Sequence, residues 1–79
     1  MKCINIRLTE HRDLNQFVSI VNRFPYEMSL WSGRQVRDAK SVLGILSLDL
    51  KRPLTLTIHH DSCEQLLEEL SPFIEEDTA

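Results

Sequence analysis

Three short stretches of this 79-residue chain carry side chains able to do chemistry. His11 and Arg12 stand together, flanked by Glu10 and Asp13, just ahead of an amphipathic run. A neutral imidazole nitrogen is a nucleophile, and a guanidinium beside helix-start N–H groups can hold an anion. Ser41 precedes the apolar run Val42, Leu43, Ile45 and Leu46, where a hydroxyl caps a helix and where an added phosphate would also be favoured by the helix dipole. His59, His60 and Asp61 form the third stretch. They read as no metal site, because neighbouring strand residues point to opposite faces and no third ligand has suitable spacing. Cys3 and Cys63 lie far apart and form no CxxC pair, so two reduced thiols fit better than a disulfide or a zinc centre.

The elements that must position these groups follow from hydrophobic period. Ile4, Ile6 and Leu8 alternate with polar residues and predict a strand with one buried face. From Leu14 the period changes: Leu14, Phe17, Val18 and Val21 make one helical stripe that should end near Arg23, ahead of Pro25. Tyr26, Met28 and Leu30 alternate again, Ser32-Gly33 can reverse the chain, and Arg34 to Asp38 returns with Val36 expected inward. Trp31 falls opposite Leu30, on the open side of that hairpin. A short helix over Val42 to Leu46 and a Lys51-Arg52-Pro53 turn lead to a strand of Leu54, Leu56 and Ile58 alternating with Thr55, Thr57 and His59. Asp61 or Ser62 can start a last helix whose stripe is Cys63, Leu66, Leu67, Leu70 and Ile74, with Pro72 able to kink or shorten it. The order strand, helix, strand, strand, helix, strand, helix predicts an α+β fold, one domain over 1–79, with three helices on one face of a four-stranded sheet.

Composition narrows the function. Hydrophobic residues are 42% and charged residues 27%, a globular balance. A net charge of −3 without a basic stripe argues against nucleic acid or an anionic membrane as partner. The opening MKCINIRLTE has no signal-peptide core and no membrane span, so the expected location is the cytoplasm. No cofactor is called for.

The segment Lys40 to Leu48, KSVLGILSL, resembles the part of HPr, the phosphocarrier family of the bacterial sugar phosphotransferase system, that carries its regulatory serine. Ser41 matches that serine, with Gly44, Ser47 and Leu48 in step. The resemblance implies an open-faced sandwich with a four-stranded antiparallel sheet, and protein partners of the phosphotransferase or carbon-regulation type. It also implies that the short helix, with Val42, Leu43, Ile45 and Leu46, helps form the surface those partners grip. In HPr the phosphoryl acceptor is a histidine in the pattern Gly-Leu-His-x-Arg-Pro at the start of the first helix. Counting back without gaps from Lys40-Ser41 puts Glu10 on the histidine, Arg12 on the arginine and Asp13 on the proline. A small shift in the shortened loop would bring His11 into the acceptor place at the loss of the arginine match.

A carboxylate about 5 Å from a phosphoryl charge costs roughly 0.8 kcal/mol in water and about 3 kcal/mol at an effective dielectric near 20. The helix dipole returns about 0.3 to 1 kcal/mol, rising to about 2 in favourable geometry. Glu10 and Asp13 can therefore cancel what the helix end offers, and Asp13 with Gln16 can itself cap the helix. The expected function is a diverged, non-enzymatic, HPr-like regulatory binding module with Ser41 as its regulatory residue. The alternative is an active carrier that relays phosphate from phosphoenolpyruvate through His11, with Arg12 contacting the phosphate.

Overall fold

In the computed structural model, which describes residues 1–75, β1 (Lys2–Ile6) leads to α1 (His11–Asn22), then β2 (Met28–Ser32), β3 (Gln35–Asp38), α2 (Val42–Leu46), β4 (Leu54–Ile58) and α3 (Glu64–Leu70). A 3-10 turn over Ser71–Phe73 follows α3. The strands form one antiparallel sheet in the order β1-β4-β2-β3. The expected α+β order is the observed one.

Period-2 patterning decides which face of the sheet is dry. In β4, between β1 and β2, Leu54, Leu56 and Ile58 are buried, as are Ile6 of β1 and Met28 and Leu30 of β2. Against them pack Leu14, Phe17, Val18 and Val21 of α1, Ile45 of α2, and Leu66 and Leu70 of α3 in a single core. Phe17 and Phe73 meet edge to face with ring centroids 6.4 Å apart. Each fully buried side chain of this kind contributes about 1.5–3 kcal/mol relative to exposure.

The other sheet face carries Cys3, Asn5, Ser29, Trp31, Thr55 and Thr57 by alternation, and Trp31 stays 39% exposed there, as expected. Val36 departs from expectation. It pairs directly with Trp31, and cross-strand partners share a face, so Val36 lies on the open side at 38% exposure. The reversal uses Gly33 and Arg34 as its two central residues; only Gly33 has positive φ, at 60°, the glycine-first pattern of a hairpin turn.

The last helix is also shorter than its stripe. Its N-cap is Cys63, one residue after Ser62, and Pro72 ends the α-helical ladder at Leu70. Ile74 leaves the helix altogether and bridges Ile6, with Glu75 N–H donating to the Asn5 carbonyl at 2.9 Å. α1, by contrast, begins a turn earlier than Leu14.

Two links set the loops around α2. Asn22 donates to both the Val18 and Lys40 carbonyls, and Lys40 Nζ donates to the Phe24 carbonyl at 2.7 Å, placing a cation at the negative end of α1. Ser32 Oγ, buried, donates to the Asp49 carbonyl at 2.9 Å and holds the α2–β4 connection against the end of β2. Cys3 and Cys63 are both free thiols.

Candidate functional site

The start of α1 is built by its own first turn. Glu10 is the N-cap in extended conformation, His11 the first helical residue, then Arg12 and Asp13. Asp13 Oδ2 turns back to accept from the Thr9 hydroxyl at 2.9 Å and from the Thr9 and Glu10 backbone N–H groups, each at 3.3 Å. Asp13 is thus one half of a capping box, whose other half is the N-cap Glu10 side chain set toward the Asp13 N–H. The Thr9 hydroxyl first, and then the two backbone donors and Arg12, hold the Asp13 carboxyl below its ordinary range despite some opposing desolvation, so it is an anion at neutral pH.

Arg12 is likewise engaged. Its Nη2 lies 3.1 Å from Glu10 Oε2, an exposed ion pair of small net worth. His11 is exposed and makes no side-chain hydrogen bond among the described residues.

A cleft of about 840 Å³ opens beside this turn, between His11 and Leu8 on one side and Leu46, Leu48, Lys51 and Arg52 of the α2–β4 segment on the other. Its charges are mixed: Arg7 lies 3.8 Å from Glu75, and Arg52 lies 3.6 Å from Asp49. Sequence reasoning missed the α2–β4 segment as part of the site. Lys51-Arg52-Pro53 signals only a turn, and the link from Ser32 to Asp49 that helps place it is long-range.

α2 behaves differently from α1. Ser41 is its N-cap and accepts from the Gly44 N–H at 3.1 Å, as expected. Ser47 donates to the Gly44 carbonyl and accepts from Arg37 Nε at 3.0 Å. Of the four apolar residues expected on a partner surface, Leu43 is 81% and Leu46 44% exposed, and Val42 is half-buried. Ile45 is a correction: it is fully buried and anchors α2 to the core, so it is withdrawn from the surface. Leu46 reaches the cleft that His11 lines; Ser41, at the other end of α2, does not.

His59 and His60 sit at the far end of the sheet. Lys2 pairs with Ile58 and Ile6 with Leu54, so the end of β4 that leads to His59 is opposite the end of β1 that leads to His11. His60 stacks on Tyr26 at 4.3 Å and its Nδ1 accepts from the Ser62 N–H, which occupies the ring structurally. No group of three or more His, Cys, Asp or Glu side chains able to hold a metal occurs among the described residues. None of the described helices is long and apolar enough to cross a membrane.

Comparison with known proteins agrees with this architecture. No curated protein matches the sequence. Among solved structures, HPr-C-His from Thermoanaerobacter tengcongensis superposes with a TM-score of 0.76 at 23% identity, over 91% of this chain and 89% of that one. The phosphocarrier protein HPr of Bacillus anthracis gives 0.69 at 26% identity over 94% of each chain. A mycoplasma histidine-containing phosphocarrier protein gives 0.72 at 9% identity, over 90% of this chain and 89% of that one, and so speaks to fold alone. The family model described as the PTS HPr component phosphorylation site matches residues 5–76, and on that coverage the chain belongs to the HPr family of phosphotransferase-system phosphocarrier domains.

Proposed function

We propose that this chain is a single-domain, cytoplasmic regulatory member of its family, which binds proteins and does not relay phosphate. The observation that carries this reading is the Asp13 carboxylate seated on the Thr9 and Glu10 N–H groups. Those N–H groups lie just ahead of the helical residues, and by returning to them Asp13 places a carboxylate at the mouth of the helix, where it opposes an incoming phosphoryl charge. Arg12, the remaining cation of that turn, is paired with Glu10. A phosphoryl group on His11 would have to displace one carboxylate and sit against another.

The binding surface in this reading is α2 and the adjoining cleft, with Leu43 and Leu46 as apolar anchors and Val42 beside them. Exposed leucines on so short a helix are suited to a protein partner's pocket. Ser41 is the regulatory residue: a phosphate there would remove its hydroxyl from the Gly44 N–H and add charge beside the anchors. Its partners are phosphotransferase or carbon-regulation proteins; nucleic acid and membrane insertion have no part.

The second reading, a working carrier through His11, is favoured by one observation: the imidazole is exposed, lines the cleft, and lies on the first residue of α1. Intact mass separates the two. After incubation with phosphoenolpyruvate and the general phosphotransferase enzyme, the regulatory reading expects no acid-labile phosphate. A gain that disappears in His11→Ala would establish the carrier instead. A parallel reaction with ATP and HPr kinase tests Ser41 through an acid-stable gain lost in Ser41→Ala.

A further inference from the structure

The edge strand β3 is built inside out. Val36 pairs with Trp31 on the open face, whereas Arg37 pairs with the fully buried Leu30, so the cation lies on the helix-bearing side of the sheet and the apolar residue on the wet one. Arg37 is half-buried there, against α2. Arg7, Arg12, Arg23 and Arg52 each face a carboxylate. Arg37 makes no ion pair among the described residues: its Nε donates to Ser47 Oγ at 3.0 Å and its Nη1 to the Val36 carbonyl at 2.7 Å. A guanidinium fork held half out of water by neutral oxygens alone keeps its preference for an anion. We propose that Arg37 receives the phosphate on Ser41, swinging from Ser47 to the phosphoserine and so coupling the modification to the joint between β3 and α2. The proposal rests on the reading above that Ser41 is the regulatory residue.

Reach and chemistry support it. A Cβ built on Gly44 would lie 3.2 Å from Ser41 Oγ and 3.5 Å from Arg37 Cβ, so the two side chains flank one gap that Gly44 leaves unfilled. The five residues of α2 rise only about 7.5 Å. Arg37 stands beside the middle of that helix, and rotation about its side-chain bonds carries the guanidinium from Ser47 at one end to Ser41 at the other. Lys40, next to Ser41 in sequence, has its Nζ tied to the Phe24 carbonyl at 2.7 Å, and Asp38 Oδ1 accepts from the Lys40 N–H at 2.9 Å. In the modification, Ser41 Oγ attacks the terminal phosphorus of ATP. The bond from that phosphorus to the bridging oxygen breaks, ADP leaves, and the hydroxyl proton passes to solvent. The ester carries about −1.5 to −2 at neutral pH, and a guanidinium can meet two of its oxygens at once. Ser47 keeps its own bond to the Gly44 carbonyl, so α2 retains its C-cap while its tie to Arg37 moves from its end to its start.

The test uses the full chain assembled by chemical ligation with phosphoserine at position 41, so that the measurement depends on no kinase. Phosphorus NMR reads the second ionisation of that phosphate, ordinarily near about 6. A cation on the dianion lowers it, so the otherwise unaltered phosphochain is expected to titrate about half a unit below the same chain carrying Arg37→Gln, with a smaller gap at high salt and partial recovery in Arg37→Lys. The Arg37 Nε–H signal is expected to move when phosphoserine replaces serine, a readout that needs no variant to fold. A titration difference under about 0.2 units at low salt, or an Arg37 Nε–H signal that is the same with and without the phosphate, overturns the proposal. No acid-stable phosphate on Ser41 after incubation with ATP and HPr kinase removes the underlying reading, and this regulation with it. A Ser41 that the kinase does modify, with an Arg37 that does not respond, removes this proposal alone.

Discussion

The starts of α1 and α2 are two solutions to the same problem of unpaired N–H groups. At α1 the solution spends charge: Asp13 turns back on Thr9 and Glu10, and Arg12 neutralises Glu10. At α2 a single neutral hydroxyl suffices, and the helix leaves Leu43 and Leu46 uncovered while Ile45 holds it in place. The difference teaches that chemistry and grip are separable in this fold. A turn that carries two carboxylates of its own disfavours an incoming anion, yet the apolar surface beside it is untouched by that change.

The sharpest way to break the comparison is to remove the anchor of α2. Ile45→Ala empties a fully buried position and is expected to cost about 2–5 kcal/mol in denaturant unfolding. A loss under about 1 kcal/mol would mean that α2 is not held by this side chain. Ser41→Ala removes the hydroxyl cap and is expected to cost about 0.5–2 kcal/mol by the same measurement, with Ser41→Gly costing less.

Asp13 sharpens the contrast through pH. Its folded carboxyl titrates below the ordinary 3.8, so the stability it contributes is present above that value and is lost as pH falls through the depressed one. Thermal unfolding from pH 7 to pH 2.5 should therefore show Asp13→Asn less stable than the unaltered chain at neutral pH, with the gap closing in acid. A gap that does not narrow at all as the pH falls below 3.8 would locate the effect outside the carboxylate's charge. Leu43→Ser is expected to have the smallest effect on folding, within about 0.5 kcal/mol, because the side chain already lies in water. Its consequence should appear in partner affinity alone, read by calorimetry with a phosphotransferase-system protein.

Much of the fold was legible because two periods rarely imitate one another. The alternation of Leu54, Leu56 and Ile58 and the stripe of Leu14, Phe17, Val18 and Val21 each admit one buried face, and both are buried as expected. The candidate site was legible in part. Ser41 as cap followed from residue type and position, while the role of Asp13 needed the conformation of Thr9 and Glu10, since a carboxylate three or four residues on reaches those donors only once the chain bends.

Local pattern also determined the hairpin, the element order and, in KSVLGILSL, the resemblance to the HPr family. Tertiary structure decided what pattern leaves degenerate. A five-residue helix apolar on most sides has no unique inward face, so packing against the sheet chose Ile45 for the core and left Leu43 outside. A lone valine in an edge strand has no alternation to orient it, so register with Trp31 turned Val36 outward. Pro72 announced a break without saying where the chain would go next; pairing with the open edge of β1 drew Ile74 out of the helical stripe and into a bridge with Ile6. In each case long-range partners, which a window of sequence does not contain, supplied the free energy that selected one of several locally acceptable conformations.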